Sequence, residues 1–173
     1  FPSQGSFFSK FSNQKDFSSR AECLSFVFQV MKKYQLKNIV SLGCGLGVNE
    51  YLLKKMIPSQ NDILACDFNP FIISKIIELF PELTAAEFDF FKDNIGEILK
   101  NQKRNYDLAM FFSASYVLDD SDFIKLFSDL KNNGVKKIID FQSGFIRSDI
   151  LIKEHIKKVI SLLTFKKYSS INY

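Results

Sequence analysis

Three glycines occupy alternate positions, Gly43, Gly45 and Gly47, inside the run IVSLGCGLGVNEYLL (residues 39–53). Each glycine in a strand or helix interior costs roughly 0.5–1 kcal/mol relative to alanine, so a triplet marks a backbone that turns sharply or is approached closely. The triplet lies between an apolar run and a helical pattern, where free N–H groups at a helix start favour an anionic ligand group. Asp67, twenty residues after Gly47, ends a second apolar run, ILACD. A carboxylate at that place can accept both hydroxyls of a ribose, as the acid of dinucleotide folds does; as an ordinary residue it would initiate the turn before Asn69 and Pro70. Two common phosphate motifs do not fit. A dinucleotide loop needs its third glycine three residues after the second, and here Val48 stands at that place. A Walker loop needs Gly-Lys-Ser/Thr, which is absent.

The elements that must position these residues alternate along the chain. Ser18 and Ser19 are plausible N-caps, and Leu24, Val27, Phe28, Met31 and Tyr34 recur at helical spacing, which predicts a helix over 20–35. A strand over 38–42 follows, then a helix over 47–57 that Pro58 closes. The spacing predicts strands over 62–67, 83–90, 106–115 and 134–141. Helices fall between them, the first opened by Pro70, and an amphipathic helix spans 148–163. Ten residues remain after it, enough for one last strand. Strands separated by helices of about ten residues indicate a doubly wound α/β domain, with a mainly parallel sheet covered on both faces. Ligands of such sheets bind at the carboxyl ends of the strands, where strand order reverses.

The stretch 39–47, a strand followed by G-x-G-x-G, resembles the first motif of the class I S-adenosylmethionine-dependent methyltransferases. The resemblance extends over residues 20–145 and implies a Rossmann-like methyltransferase fold whose C-terminal strands are incomplete here. It implies that Gly43, Gly45 and Gly47 wrap the methionine part of S-adenosylmethionine, with Cys44 and Leu46 contributing backbone groups. It also implies that Asp67, followed by Phe68, holds the ribose. Asp89 in EFDFF is implied as the acceptor for the adenine amino group, with Phe90 flanking the ring; Glu87 competes two residues away. YDLAMFFSASYVLDD (106–120) resembles the fourth strand and the loop that lines the transfer site, where Ser113 is implied at the cofactor. The family places an acid two residues before the first glycine, and this chain has Ser41, which can hydrogen-bond but carries no charge.

Methyl transfer needs alignment above all, and a general base only for a hydroxyl acceptor, where it is worth ~10²–10⁴-fold. No catalytic residue is therefore fixed by type. The candidates are Tyr116, Asp119 and His155, with Ser115 and Asp120 near the first two; Asp119 and Asp120 equally suit a helix start, and His155 a packed or solvated helix position. Some O-methyltransferases hold magnesium with acids after strands four and five, but Phe141 follows Asp140, and no metal is expected. No Asn-Pro-Pro-Tyr-like run follows strand four, which argues against amino-methylation of adenine in DNA.

The chain of 173 residues fits one domain, with residues 1–19, rich in Phe and Ser, as a lid or strap and 20–173 as the domain. Its first residue is Phe, and the expectation is a trimmed or partial form of something longer. Three cysteines in no metal-like or redox pattern, no secretory signal and no membrane span lead to a cytoplasmic expectation. The net charge of +4 is spread in ones and twos, unlike a nucleic-acid stripe. The reading is a methyltransferase for a small-molecule acceptor, a sugar or other biosynthetic precursor. An RNA methyltransferase and a non-catalytic scaffold of the same fold are the alternatives.

Overall fold

The computed structural model describes residues 14–142, with side chains from Arg20 onward. Within them lie α1 (Gln14–Tyr34), β1 (Ile39–Leu42), α2 (Val48–Met56), β2 (Ile63–Asp67), α3 (Pro70–Leu79) and β3 (Thr84–Glu87). The chain continues through α4 (Ile95–Lys100), β4 (Leu108–Phe112), a 3₁₀ turn (Ser115–Val117), α5 (Asp120–Asn132) and β5 (Lys137–Phe141). The helix expected over 148–163, His155 within it and the last strand lie outside the described residues.

The five strands form one sheet in the order β3-β2-β1-β4-β5, and every pair is parallel. Ile39 of β1 faces Ile63 of β2 on one side and Leu108 of β4 on the other. Strand order reverses between β1 and β4, so the crevice of a doubly wound sheet opens there. The alternation of side chains sorts the core into two layers. Ile39, Ile63, Ala65, Leu108 and Met110 pack with Leu24, Val27, Leu53, Ile73 and Ile76 of α1, α2 and α3. Val40, Leu42, Leu64, Cys66, Ala109 and Phe111 pack with Ile95, Leu99, Leu126 and Leu130 of α4 and α5. No helix among the described residues is long and apolar enough to cross a membrane.

Boundaries differ from the sequence reading by one to six residues, and three of the differences matter most. Helix α1 begins at Gln14, six residues earlier than expected, inside the stretch read as a strap. Strand β3 ends at Glu87 rather than 90: the Phe88 N–H makes the last ladder bond, to the Asp67 carbonyl, and Asp89 and Phe90 fall in a turn in which the Asp89 carbonyl accepts the Lys92 and Asp93 N–H groups. Strand β4 ends at Phe112, where Ser113 takes a left-handed conformation and the chain enters the 3₁₀ turn.

At the amino ends of the strands, buried Asp62 accepts hydrogen bonds from the Tyr106 hydroxyl at 2.7 Å and from Thr84 Oγ1 at 3.1 Å. This network ties β2, β3 and β4 together at the edge away from the glycine loop. Burial and the Asp62 carboxylate push the Tyr106 hydroxyl pKa up, so it serves there as a neutral donor.

Candidate functional site

The loop after β1 is pinned from beneath by β2. The N–H groups of Gly43 and Cys44 both donate to the Cys66 carbonyl at 2.9 Å, and the Gly45 N–H donates to Asp67 Oδ2 at 2.9 Å. Asp67 Oδ1 accepts the Asn69 N–H at 3.1 Å. A carboxylate has about four lone-pair sites, so these two bonds leave acceptor capacity on both oxygens. Asp67 thus shapes the loop as well as standing beside it.

The glycines answer to different neighbours. A Cβ on Gly43 would sit 2.3 Å from Ala114 Cβ, because the loop after β4 crosses directly above it. That glycine is required by the protein's own packing. A Cβ on Gly45 would meet nothing within 4 Å, yet its φ is +54°. Gly45 therefore keeps open space above a backbone bend. Gly47 is the N-cap of α2 and lies against Ile76 of α3.

Behind the loop, Ser41 and Glu50 form a buried pair. The Ser41 hydroxyl donates to Glu50 Oε1 at 2.5 Å, and both residues are fully buried. Glu50 Oε2 is buried with no hydrogen-bond partner. Desolvation raises the Glu50 carboxyl to about 7, opposed by the Ser41 hydrogen bond. The Ser41 hydroxyl is therefore committed to Glu50, and α2 brings a carboxyl group against the end of β1. Sequence reading passed over Glu50. A signal for it exists: Glu50, Leu53 and Ile57 fall at i, i+3 and i+7, so the acid sits on the buried stripe of its helix.

The remaining candidates spread around the carboxyl ends of the strands. Phe90 lies against Phe88 and Phe111, with ring centroids 5.3 and 6.3 Å apart, and its ring edge is 3.8 Å from the Cβ position of Gly43. It lines the floor beside the loop. Asp89 pairs with Lys92 at 2.9 Å and accepts the Phe91 N–H, and the lysine holds its carboxyl below the usual range. Phe68 and Tyr116 are 66% and 74% exposed, two aromatic rims with open faces. Ser113, at φ +52°, donates its N–H to the Phe141 carbonyl. Buried Ser115 donates to Asp140 at 2.8 Å and receives the Gln142 amide at 3.1 Å, closing the ends of β4 and β5. Asp119 is the N-cap of α5, accepting from the Asp122 N–H and the Ser121 hydroxyl at 2.8 Å each. These hydrogen bonds lower its pKa. Cys44 and Cys66 are buried, and desolvation pushes both thiols up, so they act as small apolar residues.

No protein-family model matches the sequence. No curated protein matches it. Solved structures do match its fold. CalS10, an amino pentose methyltransferase from Micromonospora echinaspora solved with SAM bound, is 10% identical with a TM-score of 0.54, over 70% of this chain and 50% of that one. The plantazolicin methyltransferase BpumL, solved with a desmethyl plantazolicin analogue and SAH, is 14% identical with a TM-score of 0.61, over 94% of this chain and 69% of that one. The methyltransferase domain of the bacterial protein CtHen1 is 16% identical with a TM-score of 0.58, over 87% of both chains. The chain spans half of CalS10 and about two-thirds of BpumL. At these identities the likeness is one of fold: the described core has the Rossmann-like methyltransferase architecture.

Proposed function

We propose that this chain is an S-adenosylmethionine-dependent methyltransferase acting on a small-molecule acceptor. The observation that carries the reading is the loop at the switch point, where open space over Gly45 adjoins a carboxylate, Asp67, with acceptor capacity to spare. The residues fit the cofactor. The start of α2 offers free N–H groups to a carboxylate, Asp67 suits a pair of ribose hydroxyls, and Phe90 with Phe68 suits the faces of a planar ring. When bound, the cofactor supplies a methyl group on a cationic sulfur. The chain's own residues would hold an acceptor lone pair aligned with that methyl group and keep water from it. Alignment of this kind is worth up to ~7–11 kcal/mol. Tyr116, exposed on the loop after β4, is the candidate to contact the acceptor; Asp119 serves α5 instead.

The charge distribution supports a small acceptor over RNA. Among the described residues, Asp67, Asp89, Asp93, Asp119, Asp120 and Asp140 gather at the carboxyl ends of the strands, with Lys92, which is paired with Asp89, and Arg20, which reaches Asn49 beside the loop. Lys37, Lys100, Arg104, Lys136 and Lys137 gather at the amino ends, away from the loop. A phosphate backbone would meet repulsion at the crevice. The structural neighbours described as an amino pentose and a plantazolicin methyltransferase accord with an acceptor of modest size.

Calorimetric titration of S-adenosylmethionine and S-adenosylhomocysteine tests the reading. The expected result is micromolar binding that weakens at least about tenfold in Asp67→Ala, since hydrogen bonds to a charged group are each worth ~1.5–3 kcal/mol. A folded wild-type chain that binds neither compound overturns it.

A further inference from the structure

Glu50 is a carboxylate without a complete set of partners. It is fully buried, one oxygen is held by Ser41, and the other has no hydrogen-bond partner. Removing a carboxylate from water is costly unless its oxygens are paired, so an orphaned buried oxygen calls for an explanation. Its place in the fold supplies one. Glu50 lies in the first turn of α2, three residues past Gly47, and touches the end of β1 through Ser41. The groups facing it come from each neighbouring element: Arg20 from α1, Cys44 from the glycine loop, and Asp67 and Cys66 from β2. Arg20 reaches the same helix turn, donating from Nη1 to Asn49 Oδ1 at 3.0 Å.

The geometry points to Glu50 as the anchor for a ligand's ammonium group, with Ser41 as its positioning residue: the acid is displaced from the strand end to the helix that follows the loop. The inference rests on the cofactor reading above and specifies which part of the cofactor this carboxylate recognises, the α-amino group of its methionine end. The Ser41 hydroxyl orients one oxygen and leaves the other to accept the N⁺–H donor. No covalent step is involved. The recognition carries a proton linkage, because a carboxyl poised at about 7 must ionise fully to pair with the ammonium. Below pH 7 binding therefore releases a proton from Glu50. The facing thiols Cys44 and Cys66 stay neutral through this range, since burial holds both pKa values high.

The test compares S-adenosylhomocysteine, which carries the amino-acid end, with 5′-methylthioadenosine, which lacks it. Both are titrated calorimetrically into wild type, Glu50→Gln and Ser41→Ala between pH 5.5 and 7.5. The expected wild-type result is affinity for S-adenosylhomocysteine rising about 25-fold across that range, as one-proton linkage to a carboxyl at about 7 requires, with 5′-methylthioadenosine flat. In Glu50→Gln, S-adenosylhomocysteine weakens at least about tenfold and loses its pH dependence, while 5′-methylthioadenosine is unchanged; loss of a charge-assisted hydrogen bond sets that scale. Ser41→Ala keeps the carboxylate but shifts the profile to higher pH, because the hydrogen bond that favours its ionised form is gone. Glu50→Gln keeps an acceptor for Ser41 and removes a buried charge, so its melting temperature at pH 7.5 is at or above that of wild type. Equal S-adenosylhomocysteine affinity in Glu50→Gln and wild type overturns the inference, as does equal weakening of both ligands or a flat wild-type profile. A wild type that binds neither ligand overturns the cofactor reading, and the inference with it.

Discussion

At the scale of single residues, the glycine triplet separates into positions with different physical reasons. Gly43 is confined by Ala114, and Gly45 by its φ alone. Gly43→Ala places a methyl group 2.3 Å from Ala114 Cβ at a left-handed φ, so the loop after β4 must move. Gly45→Ala incurs only the left-handed penalty, ~1–2 kcal/mol. The expected outcome is a larger loss of thermal stability in Gly43→Ala, by ~1–3 kcal/mol beyond that in Gly45→Ala, the usual range for overpacking. Gly45→Ala in turn loses affinity for S-adenosylhomocysteine, because its methyl group enters the open space over the loop. Chemical denaturation with calorimetry on the same two variants checks both halves. The spacing of the glycines was readable in the chain; the identity of what each one faces was not, because Ala114 and Ile76 reach them from distant parts of the sequence. Glu50 is the counterpart, a residue that looks like a helix-surface acid in one dimension and is fully enclosed in three.

At the scale of elements, the turn residues did much of the work that local sequence can do. Pro70 opens α3 with Asn69 as its N-cap, whose Oδ1 accepts the Phe71 N–H at 3.0 Å. Asn94 does the same for α4, accepting from Gly96 at 2.8 Å. Asp119 caps α5 with two acceptor bonds. Asp119→Ala is therefore expected to cost about 1 kcal/mol of stability, the ordinary value of an N-cap, with binding of S-adenosylhomocysteine unchanged. The denaturation midpoint checks the cap, and calorimetry on the same variant checks that the cofactor loop is untouched. Strand ends were the least legible boundaries. Nothing in EFDFF marks where pairing stops; β3 is an edge strand, and it ends where the Phe88 N–H finds the Asp67 carbonyl. The last apolar residues of YDLAMFFSAS continue the strand pattern, but Ser113 bends the chain to meet Phe141.

At the scale of the whole molecule, the five-stranded parallel sheet of the described residues divides their core into two layers with no shared side chains. Leu53 of α2 and Leu130 of α5 are each fully buried, on opposite faces. Leu53→Ala and Leu130→Ala are each expected to cost ~2–5 kcal/mol. Because the sheet stands between them, the double variant should lose the sum to within ~0.5 kcal/mol, provided enough stability remains to measure it. Urea denaturation of the two singles and the double tests this; a clear departure from additivity would mean that the sheet transmits strain between its faces. The gathering of six aspartates at the carboxyl ends of the strands is likewise a property of the assembled fold among the described residues, since they lie far apart along the chain and meet only when the strands align. The sequence by itself determined the alternation of strands and helices, the glycine loop and the carboxylate at the end of β2, because periodicity, turn chemistry and spacing are local. Only the tertiary structure decided that Ser41 is closed off by Glu50, that Gly43 is held by Ala114 and that Asp67 clamps the loop it faces. Those contacts join residues from different elements. Their distances depend on strand order and helix placement, which the packing of the two core layers fixes.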